Sequence, residues 1–220
     1  MTVAEPTLRL ERSLLKEQFD VIIALDEVGR GALAGPVAVG AAVMDAAGSR
    51  RRVPAGLRDS KLIPEKRRAG MAEHAASWVQ RSAVGWASAA EVDDIGIITA
   101  LGRAASRAVD AVSGGGAETP RTLVILDGNH DYLSLVHHSR LTVRTVIKGD
   151  RDCASVSAAS VIAKVARDAQ MEQFHDEHPA YRWDRNKGYA SAVHRAAIRE
   201  HGLSPLHRAS WAIADAPTLF

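Results

Sequence analysis

Acidic residues stand where apolar segments of this sequence end. Asp26 and Glu27 follow VIIAL (21–25), Asp127 follows TLVIL (122–126), and Asp150 closes LTVRTVIKGD (141–150). Ligand and catalytic sites of α/β sheets collect at strand ends. Carboxylates gathered there repel one another and raise each other's pKa unless cations hold them. Hard oxygen donors of this kind suit Mg²⁺ or Mn²⁺, bound by a few carboxylates together with water and phosphate oxygens. Two such ions, roughly 4 Å apart, activate a water and stabilise the leaving oxygen in phosphodiester hydrolysis. An Asp beside a Gly after a strand is also an ordinary turn residue. The metal reading therefore rests on the number of these positions and on the Asp26–Glu27 pair. Immediately after the pair comes Gly29-Arg30-Gly31, a cation set in backbone that can bend freely.

The elements that must position these residues follow from periodicity. VIIALDE (21–27), PVAVGAAVMD (36–45) and AVGWAS (83–88) read as strands. A helix over 64–79 opens at Pro64, and an Ala-rich helix over 89–112 ends in SGGGAETPR (113–121). Two further strands, 122–128 and 141–150, each close on Gly beside Asp, and a small-residue helix runs from about 154 to 175. Three early strands, then strand–connection–strand and helices, predict an α/β sheet with helices on its faces. In the small-residue helix Ser160, Lys164 and Asp168 recur at four-residue steps and share one face. Its alanines at 154, 158, 159 and 163 let it lie close to its neighbours.

Composition bounds the class. A length of 220 residues suits one domain with a substantial core. With 46% hydrophobic and 25% charged residues the chain is globular rather than disordered. The net charge of +2 and pI of about 8.9 permit a nucleic-acid partner without requiring one. Cys153 stands alone, which excludes an internal disulfide framework and a cysteine-based zinc site. The histidines show no paired metal-ligand spacing, and His137 and His138 are expected in an exposed loop. The N-terminus lacks an apolar signal core and no apolar run spans a bilayer, so a cytoplasmic protein without membrane contact is expected.

Several blocks in order resemble the ribonuclease HII family, the type 2 ribonucleases H. They are DEVGRGALAGP (26–36), DSK (59–61), EVDDIGI (91–97), LDGN (126–129), KGD (148–150), SVSAASVIAKVARD (155–168), KGYASAVHRAAI (187–198) and HRASW (207–211). The resemblance implies a ribonuclease H-like fold: a five-stranded mixed sheet, three antiparallel strands then two parallel, flanked by helices, with a helical C-terminal part. It implies an endonuclease that cuts RNA in RNA–DNA hybrids and the 5′ side of ribonucleotides embedded in duplex DNA, leaving 3′-hydroxyl and 5′-phosphate ends. Its carboxylates carry over as Asp26, Glu27, Asp127 and Asp150, with Asp26 bridging two ions of Mg²⁺ or Mn²⁺.

The resemblance also gives the arginine a task. A protein separates RNA from DNA by contacting the 2′-hydroxyl. In the family the segment matching Gly29, Arg30 and Gly31 recognises the ribonucleotide, and Tyr189 matches a tyrosine that stacks on the following sugar. A semi-buried core tyrosine is the plainer alternative for Tyr189. Ser60, Lys61 and Lys148 match positions that hold the strand backbone, while Ser160 and Lys164 reach phosphates or form a solvated polar stripe. Contacts to phosphates carry no base information, so sequence-independent cutting is expected.

Departures from the family pattern are also present. Arg151 and Asp152 follow Asp150, making Asp152 a rival for the fourth position. The connection between Asp127 and Asp150 is several residues longer than in typical bacterial members, and DSKLIP lacks a second lysine. Trp211 stands for a usual phenylalanine in HRASW, a block expected to cap the sheet. The chain divides into an N-terminal extension (1–19), a catalytic domain (20–211) and a tail (212–220). The tail ends in DAPTLF, a candidate insert for the hydrophobic pocket of a sliding clamp, although it lacks the expected glutamine; a frayed terminus is the alternative. A monomer is expected. Two other classes compete: a nuclease of the same superfold with another substrate, such as a junction resolvase or integrase, and a non-catalytic hybrid-binding protein.

Overall fold

The computed structural model describes residues 5–113, 121–137 and 141–211. The glycine run at 114–116, His138 and the tail from 212 lie outside the described residues. Helix α1 (Arg9–Glu17) leads into strands β1 (Val21–Val28) and β2 (Val37–Asp45), helix α2 (Glu65–Trp78) and strand β3 (Arg81–Ala87). Helix α3 (Ala89–Ser113), strands β4 (Thr122–Asp127) and β5 (Thr142–Val146), and helices α4 (Gly149–Asp152) and α5 (Ala154–Glu177) follow. The C-terminal part carries α6 (Trp183–Asn186) and α7 (Ala192–His201). The sheet order is β3-β2-β1-β4-β5, with β1, β2 and β3 antiparallel and β4 and β5 parallel to β1. This is the five-stranded mixed sheet with flanking helices that the sequence predicts.

Alternation along β1 decides which way its carboxylates face. Ile22 and Ala24 pack into the core under α2 and α5, whereas Ile23 and Leu25 pack into the core under α3. With a side-chain period of two, Asp26 continues the α5 face and Glu27 the α3 face. The helices approach closely because small residues line both contacts. Gly40, the ladder partner of Asp26, lies where a Cβ would collide with the Ala159 carbonyl of α5. Gly85 of β3 lies against the Ala104 carbonyl of α3 in the same way. Overpacking at either contact costs about 1–3 kcal/mol.

Three local features differ from the sequence reading. Helix α3 opens on a reciprocal Ser88–Glu91 cap (3.0 and 3.1 Å) but is interrupted at Gly96, whose φ of 76° breaks the helical path. The described residues before 20 pack on the domain: Leu8 and Leu14 join the core under α5, and buried Glu11 accepts from Ser155 N–H (3.0 Å) and Oγ (2.8 Å). A remote carboxylate thus satisfies the start of α5. Finally, β5 stops at Val146. Asp150 is not a strand-end residue; Lys148 turns the chain with φ 60° and Asp150 sits in the single turn of α4. Among the described residues no helix is long and apolar enough to cross a membrane.

Candidate active site

The C-terminal ends of the adjacent inner strands β1 and β4 assemble the acidic wall. Asp26 is only 7% exposed, and burial, followed by the charges of Asp127, Glu27 and Asp150, pushes its pKa well above the usual carboxylate range against a hydrogen bond from Ser160. Asp127 and Asp150 are raised as well, each first by burial, then by a neighbouring carboxylate. The Asp150 N–H donates to Asp127 Oδ1 (3.1 Å), so the turn at Lys148 ties these two residues together. Lys61 reaches Asp150 across 4.0 Å. Burial opposes its charge, but Asp59, Asp26, Asp150 and Asp127 outweigh that effect and hold its pKa up. Glu27 is gripped from two sides, by Arg30 (3.7 Å to Oε1) and by the buried phenol of Tyr132 (3.3 Å to Oε2). Asp152 does not share this environment. It is exposed and paired with Arg151 at 2.7 and 2.8 Å, which lowers its pKa.

Opposite the acids stands a backbone wall. Gly29 has φ +84°, and a Cβ there would strike the Arg167 guanidinium, so glycine is required for both reasons. Gly31 is different: its φ is unremarkable and a Cβ would meet nothing within 4 Å. Two buried arginines hold the loop from beneath. Arg167 donates to the carbonyls of Pro36 (2.8 Å), Ala34 (3.1 Å) and Lys187 (2.9 Å). Arg208 donates to Gly29 (2.7 Å), Arg30 (2.9 Å) and Gly35 (3.1 Å), and burial pushes its pKa down to about 10. The Tyr189 hydroxyl accepts from Gly29 N–H (3.2 Å), and its ring has Lys164 Nζ and Arg167 Cζ at 5.9 and 5.5 Å.

One cleft of about 380 Å³ joins the two walls, lined by Asp26, Glu27, Gly29, Arg30, Gly31, Ser60, Lys61, Ser160, Lys164 and Tyr189. Asp127 and Asp150 border it through Asp26 and Lys61, while Lys148 is exposed at the turn and does not line it. Ser160 is buried, and its hydroxyl meets Ser60 Oγ (3.1 Å) and Asp26 rather than standing free. Lys164 pairs with Asp168 at 2.8 Å. The HRASW block does more than cover the sheet. Trp211 packs beside the α3 core, but Arg208 reaches under the loop, and Asp93 fixes the block by accepting from Ala209 N–H (2.8 Å) and Ser210 N–H (3.0 Å). Sequence reasoning missed Arg167, Tyr132 and Asp93. The one available signal for Arg167 was an arginine set in a helix otherwise rich in small residues; Tyr132 and Asp93 gave none.

The donor set is all oxygen and crowded with like charge, which fits hard divalent cations. Among the described residues, however, no three His, Cys, Asp or Glu side chains stand ready to hold an ion.

Comparison with known proteins identifies the family. The family described as Ribonuclease HII matches residues 23–214. The Ribonuclease HII of Streptomyces avermitilis is 48% identical over 217 residues, covering 98% of this chain and 88% of the relative. Among solved structures, the ribonuclease H2 of Pyrococcus horikoshii superposes with a TM-score of 0.70 at 23% identity, covering 87% of this chain and 93% of that one. The RNase HII of Archaeoglobus fulgidus, solved in a complex with PCNA, gives 0.70 at 22% identity, covering 87% and 95%. These distant structures share the fold. The family match and the 48% identical relative establish that the chain belongs to the ribonuclease HII family, hydrolytic endoribonucleases of RNA–DNA hybrids.

Proposed function

We propose that the protein cuts on the 5′ side of ribonucleotides embedded in duplex DNA, as well as within RNA–DNA hybrids, leaving 3′-hydroxyl and 5′-phosphate ends. The observation that carries this reading is the shared cleft: Asp26, Glu27 and the Gly29–Gly31 loop face one space, with Tyr189 bonded to Gly29. A nuclease indifferent to the sugar has no use for that loop beside its acids. Gly31 adds support, since nothing within the fold forbids a larger residue there. The open space above it suits a ribose brought against the backbone, where N–H and C=O groups read the 2′-hydroxyl as donor and acceptor.

Asp26, Glu27, Asp127 and Asp150 would hold two Mg²⁺ or Mn²⁺ ions, Asp26 contacting both. Such ions lower the pKa of a bound water and neutralise charge on the leaving oxygen. The remaining residues bind and orient. Arg30 and Lys61 lie at the rim of the cleft, where they attract the scissile phosphate and its neighbour. Tyr189 supports the following sugar, and Lys164 the strand beyond it. Lys148, exposed outside the cleft, is assigned to the flanking backbone. The duplex is bound without base contacts, so its affinity falls with salt. The protein acts as a monomer on cytoplasmic DNA.

A duplex with one embedded ribonucleotide, incubated with Mg²⁺ or Mn²⁺, tests the reading against its rivals. Cutting 5′ of the ribonucleotide alone is expected. Equal cutting of all-DNA duplex refutes ribose selection and favours a resolvase-like nuclease; binding without cutting favours a non-enzyme. The clamp reading of the tail rests on Leu219 and Phe220, which lie outside the described residues. The PCNA complex of the archaeal relative supports it. Unchanged clamp affinity after deletion of residues 216–220 ends it.

A further inference from the structure

The connection between β4 and β5 is docked with unusual care for a surface crossing. Asp131 accepts from Ser134 N–H (2.9 Å) and Oγ (2.6 Å), closing a turn, and the Leu133 carbonyl accepts from Val136 (3.1 Å) and His137 (2.9 Å). His137 Nδ1 meets Ser106 Oγ of α3 at 2.8 Å. Gly102 of α3 carries no Cβ where one would collide with the Tyr132 carbonyl. These contacts drive Tyr132 and Leu133 into the core, 2% and 1% exposed, and send the Tyr132 hydroxyl to Glu27 Oε2 at 3.3 Å.

A buried tyrosine hydroxyl needs a polar partner, and this one has taken a carboxylate at the cleft. The other oxygen of that carboxylate faces Arg30. Glu27 also lies on the α3 face of β1, so its orientation is set by what α3 and its dependents present, not by the α5 face that supports Asp26.

We propose that Tyr132 is a positioning residue for the ion-binding carboxylate of Glu27. It donates its phenolic hydrogen to Oε2 and holds the side chain in the rotamer that binds a divalent cation. The docked turn over 131–137 is the device that delivers it. Partners that orient a ligand carboxylate change metal affinity by about 10–100-fold when removed. The inference rests on Glu27 being an ion ligand, as read above.

Mn²⁺ binding to the substrate-free protein, followed by electron paramagnetic resonance, tests it without recourse to activity. Tyr132→Phe keeps the ring and its packing and is expected to weaken Mn²⁺ binding about 10-fold, with the melting temperature in EDTA near wild type. In a Glu27→Gln background the same substitution should change nothing further. If Tyr132→Phe fails to fold, Gly102→Ala, which displaces the Tyr132 carbonyl and keeps the phenol, should give the same weakening. Wild-type Mn²⁺ affinity in a folded Tyr132→Phe or Gly102→Ala protein overturns the role. A wild-type protein that binds no Mn²⁺ overturns instead the reading of the carboxylates.

Discussion

The two walls of the cleft are built on opposite principles. The acidic wall is electrostatically unfinished: Asp26, Asp127 and Asp150 are each pushed toward the protonated form by burial and by a neighbouring carboxylate, with Lys61 as a distant counter-charge. The loop wall is complete, its carbonyls at Gly29, Arg30, Ala34 and Gly35 all taken by two buried guanidinium groups. On the proposed reading, carboxylates crowded in this way favour the binding of cations. On the same reading, a loop proposed to measure a sugar benefits from backbone already fixed, because preorganised donors and acceptors do not reorganise on binding.

The largest expected effect lies on the acidic wall. Asp26→Asn should lower single-turnover cleavage by on the order of 10³-fold or more. Removing a buried, repelled charge should at the same time raise the melting temperature in EDTA and abolish its rise on adding Mg²⁺. Appreciable residual cleavage would sink the bridging role.

Arg208→Met should have the reverse signature. It orphans carbonyls at Gly29, Arg30 and Gly35, so stability in urea should fall by about 3 kcal/mol or more, and discrimination between ribose and deoxyribose should narrow. A variant of unchanged stability would show that the loop does not depend on its clamp.

Gly29 and Gly31 sharpen the contrast within a single turn. Gly29→Ala should destabilise the fold through its positive φ and its clash with Arg167. Gly31→Ala should leave stability within about 0.5 kcal/mol yet impair cleavage at a lone ribonucleotide. Full activity in the folded Gly31 variant would remove the case for close sugar approach there.

The smallest effect concerns pH. Ser204 N–H donates to His207 Nδ1 (2.9 Å), leaving the His207 Nε2 proton for His194 Nε2 (3.1 Å), while His194 Nδ1 meets the Tyr189 carbonyl (2.9 Å). Burial holds both imidazoles neutral, His207 with its pKa pushed down to about 4. The unfolded chain takes up this proton near 6.5 and the folded one only near 4, so this contribution to stability is present above pH 6.5 and lost progressively down to pH 4. The raised acids on the other wall act with opposite sign. His207→Asn should therefore flatten the acid-side slope of urea stability, and an unaltered slope would contradict a buried neutral imidazole.

How much of this was legible varies with the kind of signal. Strands β1, β2 and β4 could be read because apolar runs and period-two burial are local properties, and the same periodicity separates Asp26 from Glu27 across the sheet. The placement of Asp150 in a helical turn was not, since a left-handed turn at Lys148 leaves no pattern in a non-glycine residue. The hold of Arg208 on the loop, beyond the expected cap, was not legible because its partners, Gly29, Arg30 and Gly35, are backbone carbonyls more than 170 residues away. Carbonyls are present at every position and cannot mark themselves in a sequence.

By itself the sequence determined the family and pointed to the candidate site: four oxygen donors, a bendable arginine segment, and small residues that let helices approach. Tertiary structure alone decided which groups hold these residues in place. Tyr132 on Glu27, Arg167 and Arg208 under the loop, and Glu11 at the start of α5 all join segments distant in the chain. Local propensity and periodicity act over a few residues, whereas satisfying buried polar groups is a demand of the whole fold.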